Sequence, residues 1–292
     1  VSLTIGLAAA TINMCVGSLI GGFCGYYGGR LDMIVMRIVD ILYGIPSLIV
    51  TILVMVVMGT GMKTLIVDDG WQTGGVGDWK VDTEKFPKGL RAYADEIRSM
   101  GMIPGIWMEF ESVRDGAKRW ASEYDKLYLT KDGIPVNNAA CNAAPTKFLD
   151  FRKKEVIEYL DSVVIQFLKE NHIGYMKVDY NSNIGIGCDG ADSLGEGLVE
   201  QMNGVYEFFK RIKEQIPDIV IENCSTGGSR LEPKMMGVTA MSSFSDAHES
   251  VDVPVIAANM HYLISPRQSQ IWCVLKDDFT ENHMRYVISS GF

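Results

Sequence analysis

The segment TLIVDDGW, residues 64–71, is an apolar run that ends in two carboxylates and an indole ring. Short apolar runs that end in polar residues are typical of buried β-strands. Five further segments have the same form: MIPGIWMEFE (102–111), KFLDF (147–151), IGYMKVDYN (173–181), DIVIENCSTGG (218–228) and TAMSSFSDA (239–247). We therefore predict six strands, each with a polar cluster at its carboxyl end.

Amphipathic stretches of helical period separate these segments, namely Gly89–Met100, Lys153–Asn171 and Gly197–Gln215. Alternating strands and helices are typical of α/β folds, and polar clusters at several strand ends favour a (β/α)₈ TIM barrel with one site on its loops. A doubly wound sheet is the alternative. It is disfavoured because no glycine-rich phosphate loop follows the first strand.

The charge is unevenly distributed along the chain. Residues 1–63 hold three basic and two acidic side chains, a net charge of +1, whereas the whole chain carries −9, so residues 64–292 carry −10. An acidic surface repels phosphate backbones, which excludes nucleic acid as a partner. The six cysteines and four histidines show no spacing of a disulfide framework or zinc site, so we expect no metal or other cofactor.

The first part of the chain contains two long stretches without charge, Val1–Gly29 and Ile41–Met62. Each is long enough to cross a hydrocarbon core of roughly 30 Å as a helix, so we predict two transmembrane helices and a membrane location. A signal peptide is disfavoured because a basic start and a cleavage site are absent. Two helices buried in a globular core are the alternative, and without a genuine leader we expect a cytoplasmic protein.

The stretch between these runs carries a more specific signal. GYYGGRLDMIVMRIVD (25–40), followed by ILYGIPSLIV (41–50), resembles the permease subunits of dipeptide and oligopeptide ABC transporters. The resemblance implies a cytoplasmic connection, with which Arg30 and Arg37 agree. The later permease loop that docks on the ATPase subunit is absent, so transport is not indicated. The alternative function is a membrane-transport permease fragment joined to a catalytically silent second part.

Carboxylates are concentrated where the predicted strands end. Cleavage of a glycosidic bond needs one carboxylic acid to protonate the leaving oxygen and a second carboxylate to attack or stabilise the reacting carbon. The carboxylates near predicted strand ends are Asp68, Asp69, Asp78, Glu109, Glu111, Asp150, Asp179, Glu222 and Asp246. This concentration indicates a carboxylate-based site.

Seven motifs together resemble glycoside hydrolase family 36, the α-galactosidases and their raffinose-synthase relatives. VDDGW, GDW, KFPKGL, GIWMEFE, YMKVDYN, ENCSTGGSR and FSDAHE occur in the family's order across residues 64–292. The resemblance implies an enzyme that hydrolyses terminal α-galactosyl bonds by double displacement with retention, without a cofactor. Its partner would be an α-galactoside of low molecular weight.

The resemblance also implies the catalytic residues. Asp179 matches the nucleophile, and Lys177, on the same face of the strand, could keep it ionised. Asp246 matches the general acid/base, and Phe244 could supply an apolar wall that raises its pKa. The alternatives are a structural Lys–Asp pair at a strand end and a helix N-cap.

Further residues match the family's sugar site. Asp68 and Asp69 would accept hydrogen bonds from galactose hydroxyls. Trp71, Trp79 and Trp107 could stack on the sugar or pack in the barrel rim, and packing is favoured for Trp79. The remaining substrate-binding predictions are Lys177, Asn181, Cys224, Gly227 and Gly228, where the glycines would let the backbone approach the sugar. Arg230 could simply pair with a loop carboxylate.

Three positions depart from the family's pattern. Ala144 and Thr146 stand where the family usually has arginine and glutamine, and Ser243 stands at the tryptophan of the family's frequent Trp-x-Ser-Asp. Sugar contacts should differ accordingly. α-Galactosides remain the first choice, ahead of N-acetylgalactosaminides and galactosyl transfer between sugars.

In the family, DDGW ends the second strand of the barrel. We therefore expect residues 64–292 to form an incomplete TIM barrel that lacks its first strand, preceded by the two membrane helices of residues 1–63. The eighth strand should lie near Ala257–Leu263. An open edge beside Asp68 and Asp69 should loosen the site and leave little or no activity.

Overall fold

The computed structural model describes residues 2–29, 32–33, 35, 64–139, 145–247 and 251–291. The chain divides into two compact units, Val1–Met62 and Lys63–Phe292. Helix α1 (Ser2–Tyr27) belongs to the first unit and carries no charged side chain. All the other helices and strands named below belong to the second unit.

The predicted membrane spans are not supported. In the described part of the chain, no helix combines the length and the apolarity needed to cross a membrane. The second predicted span, Ile41–Met62, lies outside the described residues.

The second unit is built on a six-stranded parallel sheet. Its strands follow the chain order β1 (Thr64–Val67), β2 (Ile103–Met108), β3 (Tyr175–Val178), β4 (Val220–Asn223), β5 (Met241–Ser243) and β6 (Ser269–Gln270). Each strand pairs in parallel with the next. Within the described ranges the sheet stays open between β1 and β6. The α/β architecture is thus confirmed as a parallel half-barrel.

The two central strands show why this sheet forms. β3 is buried along its whole length, and β2 is buried from its second residue onward. Ile106, Met108, Met176 and Val178 have no exposed surface. Strands buried on both faces are typical of parallel sheets covered by helices.

One of the helices that accompany the sheet begins at a side-chain cap. Ser193 caps the longest of them by accepting a hydrogen bond from the backbone N–H of Glu196 at 3.1 Å. The helices of this unit are α2 (Gly89–Ser99), α3 (Lys154–Leu160), a π-helix (Asp161–Gln166), α4 (Phe167–Glu170), α5 (Leu194–Gln215), α6 (Pro233–Val238), α7 (Asp252–Met260) and α8 (Glu281–Gly291). Short 3₁₀ turns lie at Lys118–Trp120, Ser122–Leu127 and Pro266–Gln268.

Two strand predictions were wrong. KFLDF contributes to Pro145–Phe148, which pairs antiparallel with Ser112–Arg114 and Asn137–Ala139 and is not part of the main sheet. β2 is hydrogen-bonded directly to β3, so no strand fits between them. The region predicted as the eighth strand, Ala257–Leu263, largely forms the end of α7.

Two further antiparallel pairs lie in the loops, Gln72–Thr73 with Lys80–Val81 and Thr130–Lys131 with Ile134–Pro135.

Candidate active site

The polar residues predicted from the motifs collect at one edge of the sheet, because parallel strands all end on the same side. Asp68 follows β1, Asp179 follows β3 and Cys224 follows β4. Burial raises the pKa of the Cys224 thiol, and the carboxylates of Asp179 and Asp246 raise it further, whereas Lys177 lowers it. The three charged groups therefore lie within electrostatic range of Cys224.

Asp179 is buried and held by three N–H donors. The indole Nε1 of Trp107 donates to Oδ2 at 3.1 Å, and the Nδ2 of Asn181 donates to the same oxygen at 2.8 Å. The backbone N–H of Tyr180 donates to Oδ1 at 2.8 Å. Because these contacts orient both oxygens, the carboxylate occupies a defined position at the end of β3.

The ion pair of Lys177 differs from the one expected. Its Nζ lies 3.0 Å from Oδ2 of Asp68, across the sheet, and the side chain is buried while Asp68 is exposed. Burial by itself lowers the pKa of Lys177, but the Asp68 carboxylate outweighs it, so this pKa lies above its ordinary value. The structural alternative of a Lys177–Asp179 pair does not apply, because Lys177 is paired with Asp68.

Asp69 is exposed beside Asp68 and accepts a hydrogen bond from Nε2 of Gln72 at 2.8 Å. The tryptophans predicted around the sugar are buried. Trp71 donates from Nε1 to the backbone oxygen of Trp107 at 2.8 Å, and the rings of Trp71 and Trp79 are stacked at 6.1 Å. Trp71 and Trp79 therefore pack behind the site, and Trp107 contacts the candidate nucleophile.

The loop that contains Gly227 and Gly228 lies close to the backbone of residues 244–246. A Cβ on Gly227, whose φ is +77°, would lie 2.4 Å from the backbone nitrogen of Asp246. A Cβ on Gly228 would lie 2.1 Å from the backbone oxygen of Phe244. These glycines thus let the loop after β4 contact the segment that carries Asp246, whose side chain is exposed. This contact differs from the close approach to a sugar that the sequence analysis expected.

Two buried ion pairs surround the site. Nη1 of Arg230 lies 2.5 Å from Oε1 of Glu111, so Arg230 pairs with a loop carboxylate, as one interpretation of the sequence expected. Nη2 of Arg114 lies 2.5 Å from Oε2 of Glu109. Burial raises the pKa of Glu109, and Arg114 opposes that rise. Glu109 was recognised only as one of many strand-end carboxylates.

Sequence reasoning missed Trp272 and named Glu222 only among the carboxylates at predicted strand ends. Trp272, just after β6, places its ring 4.9 Å from Nζ of Lys177 and donates from Nε1 to Oγ of Ser243 at 3.2 Å. Glu222 is buried and accepts hydrogen bonds from Tyr175 and Ser243. Burial raises the pKa of Glu222, although both hydrogen bonds lower it. Trp272 lies in the apolar run Ile271–Leu275, which none of the seven motifs includes, so no sequence signal marked it.

The described residues contain no group of three or more histidine, cysteine or acidic side chains that could hold a metal ion. The described groups at this edge of the sheet are carboxylates, an ammonium and hydrogen-bond donors. A parallel half-barrel with such groups at its carboxyl edge defines the class as a carboxylate-based α/β-barrel protein of the glycoside hydrolase type.

The chain belongs to the Melibiase family, because the sequence model of that family matches residues 49–269. A curated relative, alpha-galactosidase 2 of Pediococcus pentosaceus, is 30% identical over 216 residues, which cover 71% of this chain and 29% of the relative. The chain therefore spans less than a third of the relative's length.

One solved structure and one further curated protein are also similar to this chain. The GH36 alpha-galactosidase AgaA of Geobacillus stearothermophilus, solved with stachyose, superposes with a TM-score of 0.68 at 21% identity, over 79% of this chain and 33% of that one. At this identity the likeness concerns the fold. The dipeptide transport system permease protein DppC of Bacillus subtilis is 52% identical over 67 residues, which cover 23% of this chain and 21% of that protein.

The glycine contact leads to a testable prediction. Gly227→Ala should lower the free energy of unfolding by about 1–3 kcal/mol more than Gly133→Ala, because only the first forces a Cβ against backbone atoms. Gly133 is the matched control. Its φ is +76°, close to that of Gly227, and an added Cβ meets no atom of the described residues within 4 Å. Urea unfolding of the full chain measures both, and equal losses would contradict the contact.

Proposed function

We propose that this chain carries the catalytic part of a retaining glycoside hydrolase that cleaves terminal α-galactosyl bonds. In this proposal Asp179 is the nucleophile and Asp246 is the general acid/base. Asp68, Asp69, Trp107, Lys177, Cys224, Gly227 and Gly228 form or shape the sugar site. Membership of the Melibiase family supports the reaction class, since its relatives are named alpha-galactosidases.

One observation supports this assignment more than any other. Residues of separate motifs meet at the carboxyl edge of the sheet: Lys177 contacts Asp68, and Trp107 contacts Asp179. The nucleophile of a retaining glycosidase must be ionised and oriented before it attacks. Three N–H groups directed at the Asp179 carboxylate orient both of its oxygens.

The proposed reaction proceeds in two displacements. An oxygen of Asp179 attacks the anomeric carbon while protonated Asp246 gives its proton to the leaving oxygen, and the glycosidic bond breaks. Asp246, now a carboxylate, then removes a proton from water, whose oxygen attacks the same carbon and releases Asp179. Two inversions give net retention. Asp246 lies on the exposed side of the site, where water and a leaving group can reach it.

The first test concerns the nucleophile. Relative to a parent preparation that turns over an aryl α-galactoside, Asp179→Ala should lower kcat by at least 1000-fold, on the order of losses seen for catalytic nucleophiles. Added azide should restore cleavage, and the product should be the β-galactosyl azide, because azide attacks once from the face that Asp179 occupied. Product NMR identifies the anomer. Asp192→Ala, an exposed aspartate before α5, is the control. Near-parental activity of Asp179→Ala would refute the assignment.

The second test concerns the acid/base. Asp246→Ala should slow substrates with poor leaving groups about 10²–10⁴-fold, while an activated aryl galactoside should lose much less in its first step, because its leaving group needs no proton. Pre-steady-state rates of aryl release measure that step for both substrates. Equal losses for the two substrates would count against the role of Asp246.

We also propose that the chain consists of two parts, residues 1–63 resembling a permease fragment and residues 64–292 forming the hydrolase-like unit. The division into compact units between Met62 and Lys63 supports it. Proteases attack boundaries between domains, where few interactions cross. Limited proteolysis of the full chain should therefore cut first near residue 63 and leave residues 64–292, as mass spectrometry would show. First cuts inside β1 to β5 would contradict the division.

A further inference from the structure

The sequence predicted that Asn181 binds the sugar, but the Asn181 side chain makes its hydrogen bonds to other residues of the protein. Its Nδ2 donates to Oδ2 of Asp179 at 2.8 Å and to Oε2 of Glu109 at 3.0 Å. A side-chain amide has two N–H donors and two acceptor sites. Both hydrogens are therefore used, and none remains for a sugar hydroxyl.

The carbonyl end of the same amide is also occupied. Oδ1 of Asn181 accepts from the backbone N–H of Thr226 at 3.3 Å and lies 3.5 Å from its hydroxyl. Thr226 has a φ of +45°, an unusual conformation for a residue with a branched side chain. The hydrogen bond to Asn181 helps to hold the loop after β4 in that conformation.

Glu109 provides a fixed anchor for the amide. It has no exposed surface, and besides Nδ2 its carboxylate accepts from the backbone N–H of Asn181 at 3.2 Å. Oγ of Ser112 and Nη2 of Arg114 hold it at 2.9 and 2.5 Å. Both belong to the antiparallel strand beside the main sheet, so elements outside the half-barrel help to orient Asp179.

The loop held by Thr226 continues into the glycines that contact the segment of Asp246. Gly227 forms an isolated bridge with Ser245, and Thr226 directly precedes it. A continuous path therefore runs from Asp179 through the Asn181 amide and Thr226 to Ser245. It joins the two proposed catalytic carboxylates through hydrogen bonds and one backbone contact.

We infer that Asn181 is a positioning residue that orients the Asp179 carboxylate against Glu109 and, through the Thr226 loop, fixes its placement relative to Asp246. The inference rests on the proposed function. Displacing a reacting group by about 1 Å costs on the order of a hundredfold in rate. Loss of the amide should therefore reduce kcat and leave sugar binding nearly unchanged.

The test compares the full-length parent with Asn181→Ala, Asn181→Asp and the control Asn183→Ala. Asn181→Asp keeps the volume of the side chain but removes both N–H donors. Asn183 is an exposed residue of the same loop, and its replacement removes the same atoms. The measurements are kcat and KM on an aryl α-galactoside, calorimetric Kd for 1-deoxygalactonojirimycin, and crystal structures of each variant.

A positioning role predicts that kcat falls at least tenfold in both Asn181 variants, while KM and Kd stay within threefold of the parent. The Asp179 carboxylate should move by more than about 0.5 Å, the tolerance of a productive geometry. Asn183→Ala should match the parent. A rise in KM and Kd at unchanged kcat would overturn the inference and assign Asn181 to the sugar.

The crystal structures keep this test separate from the proposed function. A parent that neither turns over the galactoside nor binds 1-deoxygalactonojirimycin would refute the function. The position of Asp179 would still decide the structural claim. An unmoved carboxylate in both Asn181 variants would overturn the inference whatever the activity.

Discussion

Strands β2 and β3 pair so that Lys177 lies opposite Trp107 and Val178 opposite Met108. The backbone N–H of Asp179 continues this ladder by donating to the Met108 oxygen at 2.8 Å. This register brings the Trp107 indole within reach of the Asp179 carboxylate. Because side chains alternate along a strand, a shift by one residue would direct Lys177 away from Asp68. The geometry of the site therefore depends on this pairing.

Buried charges around the site define its geometry more than they stabilise the fold. The Glu109–Arg114 and Glu111–Arg230 pairs are removed from water, and the desolvation of such pairs offsets much of their attraction. Breaking one partner, however, leaves an uncompensated buried charge. Each pair thus restrains loop segments that follow β2 and β4 to one arrangement.

The candidate site combines buried side chains at the end of β3 with exposed side chains around them. Asp179 and Lys177 are buried on the central strand β3, whereas Asp68, Asp69 and Asp246 are exposed around them. For the nucleophile proposed at Asp179, a fixed, enclosed position is favourable. The general acid/base proposed at Asp246 needs contact with the leaving group and with water, which its exposed side chain allows. The glycine contacts with residues 244–246 connect that loop to the sheet.

The sequence by itself determined the strands β1 to β5, the main helices, the carboxylates at the strand ends and the family, because periodicity and motif order are properties of neighbouring residues. Tertiary structure alone decided that Pro145–Phe148 leaves the main sheet and that Lys177 pairs with Asp68, 109 residues away in the chain. It also committed Asn181 to Asp179 and Glu109, and placed Gly227 against Ser245. These contacts join segments that are far apart in the chain. Strand register and loop packing determine which residues meet, and neither can be read from a local sequence pattern.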